Sequence, residues 1–141
     1  MVFNEKDGPI ILVVEDEKFM QNLIKRMLEN IGIRNVISVN DGNTAIDQVQ
    51  DNFAIIDCIL LDIEMPDMNG IQFLRRLRAQ PKDNRPNIPV IMVTGHSNRK
   101  NIEDAIQLGV SHFLTKPVAP KDLEKGISAA LRGFVIDPGK V

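Results

Sequence analysis

Residues 57–70 read DCILLDIEMPDMNG, and this stretch decides how the chain folds. The apolar run at 58–61 predicts a buried strand, and the strand is followed at once by an acid, Asp62. Turn-forming residues come next, namely Pro66, Asp67, Asn69 and Gly70. The pattern places the Asp62 carboxylate at the rim of a sheet, where a reaction partner can reach it. Asp57 should lie at the far end of the strand, and Asp67 in the loop beyond the site.

Similar apolar runs recur on both sides of this stretch and alternate with longer amphipathic segments. The runs predict five strands, at residues 10–14, 36–39, 58–61, 90–93 and 112–114. Apolar residues at helical spacing predict a helix after each strand, with Asp41 as a cap of the second helix and Ser97 as a cap of the fourth. Near-continuous apolar strands are typical of a parallel sheet covered on both faces. We therefore expect an α/β fold, a doubly wound (βα)5 sandwich with strand order 2-1-3-4-5.

Composition narrows the class of protein further. The chain has 141 residues, 43% of them apolar and 26% charged, which suits one soluble globular domain. We expect this domain at residues 9–132, between tails at 1–8 and 133–141, with no separate output domain. A net charge of −2 and the lack of Trp and Tyr give no sign of a nucleic-acid surface.

The expected location is the cytoplasm. No apolar run in the sequence is long enough to span a membrane, and the first residues lack the pattern of a signal peptide. The single cysteine, Cys58, cannot form an internal disulfide, which fits a reducing compartment.

Candidate functional residues follow four of the five predicted strands. In an open parallel sheet, ligands bind outside the carboxyl ends of the strands, so these residues should share one crevice. They are Glu15, Asp16 and Glu17 after the first strand, Asp62 after the third, Thr94 after the fourth and Lys116 after the fifth. Clustered carboxylates repel one another, and a divalent cation relieves that repulsion. An all-oxygen ligand set favours Mg²⁺, with Mn²⁺ as an alternative.

Such a site has an evident chemistry. A carboxylate beside a divalent cation can act as a nucleophile and accept a phosphoryl group as an acyl phosphate. The hydroxyl of Thr94 and the ammonium of Lys116 could then bind the phosphoryl oxygens.

Four segments together resemble the CheY-like family of response-regulator receiver domains. They are LVVEDE at 12–17, LLDIEMPDMNG at 60–70, MVTG at 92–95 and FLTKP at 113–117. Each segment alone is weak evidence for the family. All four occur in order at the expected strand ends, and together they are a strong signal. The resemblance implies that Asp62 is the phosphoacceptor and that Thr94 and Lys116 contact the phosphoryl group. It also implies that Glu15 and Asp16 form the acidic pair, with Asp16 the more direct metal ligand. Glu64 would bind the metal through its backbone carbonyl. The resemblance also implies a cis bond between Lys116 and Pro117.

The resemblance further implies a stand-alone signalling protein and not an enzyme with turnover. A histidine kinase or a histidine phosphotransfer protein would donate the phosphoryl group. Thr94 would then move inward, Phe113 would follow, and the face formed by helix four, strand five and helix five would change for a downstream protein. Asn101, Asp104 and Lys125 are candidate residues of that face.

The sequence departs from the usual family pattern at the switch position. Phe113 stands where many relatives carry Tyr, so it has no hydroxyl to offer a partner. Glu64 and His96 occupy the two positions that, in this family, tune the lifetime of the acyl phosphate.

Three other readings fit parts of the sequence. A phosphohydrolase of the haloacid-dehalogenase type would also use Asp62 as nucleophile and Glu64 as second acid, but the following Met65-Pro66 and the short chain argue against it. A pseudo-receiver that no longer takes phosphate is disfavoured by the complete set of site residues. A calcium loop aligned on Gly70 would place Met65 and Arg76 at ligand positions, which excludes it.

Overall fold

The computed structural model describes residues 8–52, 55–65, 68–82, 86–95 and 98–137. Its strands form one parallel sheet in the order β2-β1-β3-β4-β5. The strands are β1 (Ile10–Val14), β2 (Asn35–Val39), β3 (Cys58–Asp62), β4 (Val90–Thr94) and β5 (His112–Thr115). The helices are α1 (Lys18–Asn30), α2 (Gly42–Asn52), α3 (Gly70–Arg78), α4 (Arg99–Gln107) and α5 (Pro120–Leu131). The predicted α/β class and strand order are confirmed.

Each face of the sheet carries its own apolar core. Successive side chains of a strand point to opposite faces, so Leu12 and Val14 of β1 pack in the core beneath α2, α3 and α4. Ile11 and Val13 of the same strand pack in the core beneath α1 and α5. Burial of each such side chain contributes about 1.5–3 kcal/mol, which makes the two cores the main source of stability. The parallel strands consequently hold their carboxyl ends together at one edge.

Three strands extend one residue beyond their predicted ends, and this places the site residues inside the sheet. Asp62 is the last residue of β3 and lies opposite Val93, and Thr94 is the last residue of β4 and lies opposite Thr115. Ile63 N–H also donates to the carbonyl of Val93 at 3.1 Å. The backbones that carry the Asp62 and Thr94 side chains are therefore fixed by the sheet.

The caps of the helices were predicted with mixed success. Asp41 accepts a hydrogen bond from the N–H of Thr44 at 2.8 Å, which confirms it as a cap of α2. Ser97, the predicted cap of α4, lies outside the described residues. Asn98 fills the N-cap position of α4, and its side chain accepts a hydrogen bond from the N–H of Asn101 at 2.8 Å.

Part of the expected C-terminal tail packs on the domain. Ile136 N–H donates to the carbonyl of Val110 at 3.0 Å, and the Ile136 side chain contacts the core beneath α4. The neighbouring Phe134 and Val135 are about half exposed. The chain is thus held against the amino end of β5 up to at least Ile136, because an apolar side chain of the tail finds a place in that core.

Gly70 allows α3 to begin directly against the end of β3. Its N–H donates to the carbonyl of Ile63 at 2.9 Å. A Cβ atom at Gly70 would lie 2.5 Å from the backbone oxygen of Asp62 and 2.9 Å from the Cα of Ile63. Neither atom can rotate away, since both belong to the backbone at the end of the central strand.

We expect Gly70→Ala to lower the free energy of unfolding by about 1–3 kcal/mol, the usual cost of forcing extra volume into a packed site. Gly95→Ala is the matched control, because the nearest atoms to a Cβ there are 4.0 Å away. Urea unfolding followed by circular dichroism measures both variants. Equal stability of the two variants would contradict the tight contact at Gly70.

Candidate functional site

Four strands deliver polar residues to the carboxyl edge of the sheet. Glu15 follows β1, Asp62 ends β3, Thr94 ends β4 and Lys116 follows β5. Glu15 and Asp62 are each only 1% exposed, whereas Asp16 is exposed at the mouth of the site. The structure thus brings Glu15, Asp16, Asp62, Thr94 and Lys116 to one edge of the sheet. Glu17, which was also predicted to share the crevice, is exposed and occupies the N-cap position of α1.

Lys116 joins the two buried acids. Its Nζ lies 3.0 Å from Oε1 of Glu15 and 3.1 Å from Oδ2 of Asp62. The backbone N–H of Lys116 donates to the carbonyl of Thr94 at 2.9 Å, and the Lys116–Pro117 peptide bond is cis, as expected. One ammonium therefore compensates two carboxylates, which leaves the buried cluster with excess negative charge.

This imbalance shows in the pKa values of the site. Burial, and then the neighbouring charge of Glu15, raise the pKa of Asp62 to about 8, although the Lys116 ammonium acts in the opposite direction. Burial by itself would lower the pKa of Lys116, but its hydrogen bonds and ion pairs with Glu15 and Asp62 outweigh burial and raise the pKa. Without a cation, Asp62 consequently retains its proton at neutral pH, and Lys116 stays charged.

Asp62 and Thr94 each form a hydrogen bond with Glu64. The N–H of Glu64 donates to Oδ1 of Asp62 at 3.1 Å, and the hydroxyl of Thr94 donates to Oε1 of Glu64 at 2.8 Å. The sequence pointed to the backbone carbonyl of Glu64. It gave no indication that the Glu64 side chain binds Thr94.

Gln21 of α1 supports the loop that carries Glu15 and Asp16, a role that was not predicted from the sequence. Its side chain is 2% exposed, and its amide nitrogen donates to the carbonyl of Glu15 and lies 2.6 Å from Oδ1 of Asn40. The same nitrogen lies 3.2 Å from the carbonyl of Val39. Gln21 thereby ties the loop after β1 to the loop after β2.

A signal for Gln21 was present in the spacing of α1. It lies three residues before Ile24 and seven before Leu28, on the face that is buried in the structure. Phe19, by contrast, belongs to the predicted apolar pattern but is 77% exposed. The helix turns its polar Gln21 inward because the strand ends offer carbonyls that need a donor.

The three carboxylates fit a hard divalent cation. Glu15, Asp16 and Asp62 can each offer an oxygen, and these oxygens all lie within 4.8 Å of one another. Oxygen ligands, two of them buried and one open to solvent, suit Mg²⁺ or Mn²⁺, which keep water molecules in their coordination shells. A cation here would also balance the negative charge that Lys116 leaves uncompensated.

The other predicted residues that the structure describes belong to α4, β5 and α5. Phe113 is half-buried and packs against the core beneath α4. Asp104 pairs with Arg75 at 3.2 Å and with Lys100 at 3.4 Å, so it connects α4 to α3. His96, Pro66 and Asp67 lie outside the described residues. Asn101 is half-buried and Lys125 is exposed on α5.

The surroundings of Asp57 and Cys58 indicate structural roles. Oδ2 of Asp57 accepts a hydrogen bond from the N–H of Ile10 at 2.8 Å, at the amino end of the sheet and far from Asp62 along β3. Cys58 is fully buried, and burial raises the pKa of its thiol to about 12, which fits a packing role.

The fold and the site agree with comparisons to known proteins. Residues 11–128 match the family described as response regulator receiver domain, so the chain belongs to that family. It is a CheY-like receiver of two-component signalling. Receiver domains are signalling phosphoacceptors, not dedicated enzymes, and response regulators act with histidine kinases and downstream targets.

The relatives differ in the share of their own length that matches this chain. Chemotaxis protein CheY of Pseudomonas aeruginosa is 36% identical over 118 residues, which are 83% of this chain and 91% of that protein. Transcriptional regulatory protein CpxR of Escherichia coli is 37% identical over 122 residues, but these are only 49% of CpxR. A receiver domain protein from Clostridium thermocellum superposes with a TM-score of 0.79 at 30% identity, covering 89% of this chain and 95% of the other.

The structure also bears on membrane spanning. Among the described residues, no helix combines the length and the apolar content that crossing a bilayer requires.

Asp62 should destabilise the metal-free fold at neutral and alkaline pH. Its folded-state pKa, about 8, lies above the ordinary value of 3.8, so the folded state binds the proton more tightly than the unfolded chain does. Stability should therefore fall as pH rises between those two values. Asp62→Asn removes this effect, and we expect it to raise the free energy of unfolding by about 1–3 kcal/mol near pH 8.

Urea unfolding in the presence of a chelator, from pH 4 to pH 8, tests this expectation. The stability difference between Asp62→Asn and wild type should shrink toward pH 4, where both side chains are neutral. A wild type that is the more stable of the two at pH 8 would contradict the raised pKa.

Proposed function

We propose that this receiver accepts a phosphoryl group on Asp62 from the phosphohistidine of a histidine kinase or of a histidine phosphotransfer protein. One observation carries the proposal: the buried carboxylate of Asp62 lies 3.1 Å from the Lys116 ammonium and within a cluster of three acids. Membership of the receiver family supports it independently.

The reaction requires a single displacement. An Asp62 oxygen attacks the phosphorus, an O–P bond forms and the donor's P–N bond breaks. The imidazole nitrogen leaves with the electron pair of that bond and takes a proton from water. The Lys116 ammonium, now shared by Glu15 and Asp62, then donates to a phosphoryl oxygen, and the Thr94 hydroxyl donates to another.

A divalent cation belongs to this proposal. Asp16 and Asp62, with Glu15 and the backbone carbonyl of Glu64, would hold Mg²⁺, or Mn²⁺ in its place. Bound there, the cation would supply positive charge for the phosphoryl oxygens and would take the place of the proton that metal-free Asp62 retains. Asp62 is thereby made available as a nucleophile at neutral pH.

The signal leaves through a change in conformational populations. Thr94 moves toward the phosphoryl group, and Phe113 follows it inward. The face of α4, β5 and α5 then favours a different protein partner. Asp104 of α4 pairs with Arg75 of α3 at 3.2 Å, so a movement of α4 would change this contact.

Intact-mass measurement with Mg²⁺ and a small phosphoramidate tests the proposal. We expect wild type to gain one phosphoryl group and Asp62→Asn to gain none. Asp47→Asn, a change at an exposed acid of α2, is the matched control and should behave as wild type. Omission of Mg²⁺ should slow labelling by at least about tenfold, since the ion stabilises the transferring group.

Two outcomes would contradict the proposed function. One is wild type that stays unlabelled with Mg²⁺ present. The other is equal labelling of Asp62→Asn and wild type. Continuous release of inorganic phosphate at a constant high rate would instead indicate a phosphohydrolase.

A further inference from the structure

The hydroxyl proton of Thr94 is already engaged in this structure. Oγ1 of Thr94 donates to Oε1 of Glu64 at 2.8 Å. Thr94 is only 6% exposed, whereas Glu64 is exposed at the mouth of the site. A hydrogen bond to an ionised carboxylate is shorter and stronger than one between neutral groups.

Glu64 contacts the phosphoacceptor as well. Its backbone N–H donates to Oδ1 of Asp62 at 3.1 Å. The same residue therefore touches Asp62 through its backbone and Thr94 through its side chain. The backbone contact holds Glu64 next to the reacting carboxylate, and its carboxylate reaches across to β4.

The backbone of Thr94 has little freedom to move. It lies opposite Thr115 in the sheet, and its carbonyl accepts a hydrogen bond from the N–H of Lys116 at 2.9 Å. Rotation of the side chain is then the smallest change that carries the hydroxyl elsewhere. A threonine hydroxyl has a single proton to donate, so it cannot serve Glu64 and a phosphoryl oxygen at once.

We propose that the Glu64 carboxylate is a resting-state latch: it holds Thr94 in the unphosphorylated arrangement and competes with the phosphoryl group for the Thr94 hydroxyl. The inference rests on the proposed function, in which Asp62 carries the phosphoryl group and Thr94 binds it. Glu64 acts here as a positioning residue and sets the balance between the resting and the activated arrangement.

The exposure of Glu64 makes the latch easy to release. When Thr94 leaves, water can solvate the Glu64 carboxylate, so no buried charge is left without a partner. The energetic effect of the latch is then the difference between the Thr94–Glu64 hydrogen bond and the Thr94–phosphoryl hydrogen bond, both of which involve a charged acceptor. Loss of the latch shifts the population toward the activated arrangement.

Binding of beryllofluoride in the presence of Mg²⁺ tests the latch. Beryllofluoride is a tetrahedral phosphoryl analogue, and its dissociation constant follows from calorimetry or ¹⁹F NMR. Glu64→Gln retains the shape of the side chain but removes its charge. We expect it to lower the dissociation constant by about three- to tenfold, because the amide oxygen of glutamine accepts from Thr94 more weakly than a carboxylate does.

A double-mutant cycle with Thr94→Val separates the latch from simple charge repulsion. Valine keeps the shape of threonine but lacks the hydroxyl. In that background we expect Glu64→Gln to change the dissociation constant by less than about twofold. Glu29→Gln, the same charge change at an exposed position near the end of α1, is the control and should leave the constant near that of wild type.

Three results would overturn the latch: no gain in affinity for Glu64→Gln, the same gain with and without the Thr94 hydroxyl, or an equal gain for Glu29→Gln. Failure of wild type to bind beryllofluoride and to take a phosphoryl group would instead contradict the proposed function, and the latch with it.

Discussion

The ammonium of Lys116, held 3.0 Å from Glu15 and 3.1 Å from Asp62, is the interaction on which the site depends. Two carboxylates buried at the end of a sheet repel each other and lose most of their hydration. A buried charge that loses its partner is strongly destabilising, so the lysine is needed for the acids to be tolerated there. One lysine cannot neutralise both carboxylates, so the cluster keeps a net negative charge. That charge favours the binding of a cation at the site.

The parallel sheet makes this arrangement possible. Its two cores fix the strands, and the strands fix the positions of Asp62 and Thr94 as their last residues. Gly70 lets α3 start close to the Asp62 backbone, and Gln21 ties the acidic loop to the neighbouring strand. The carboxyl edge of the sheet lowers the stability of the fold, because Asp62 must retain a proton there in the absence of a cation. The two apolar cores provide the stability that offsets this cost.

Much of this architecture was predictable because it depends on short-range patterns. The apolar runs located the five strands, and the residues that follow them identified Glu15, Asp16, Asp62, Thr94 and Lys116 as neighbours. Contacts that depend on side-chain direction were not predictable in the same way. Spacing along the chain did not show that Phe19 turns outward or that Glu64 reaches Thr94 on another strand. It placed Gln21 on the same helical face as Ile24 and Leu28, but it did not show which carbonyls the Gln21 amide would bind. These contacts follow from where loops leave the sheet, and the sequence pattern does not specify that geometry.

The central claim is that Asp62, among the three clustered acids, carries the phosphoryl group. Borohydride reduction of the phosphorylated protein tests it most directly, because it converts an aspartyl phosphate to homoserine that peptide mass spectrometry can locate. We predict homoserine at position 62, with Asp16 unmodified. Homoserine at position 16, or a stable phosphoryl group elsewhere with Asp62 unchanged, would contradict the account.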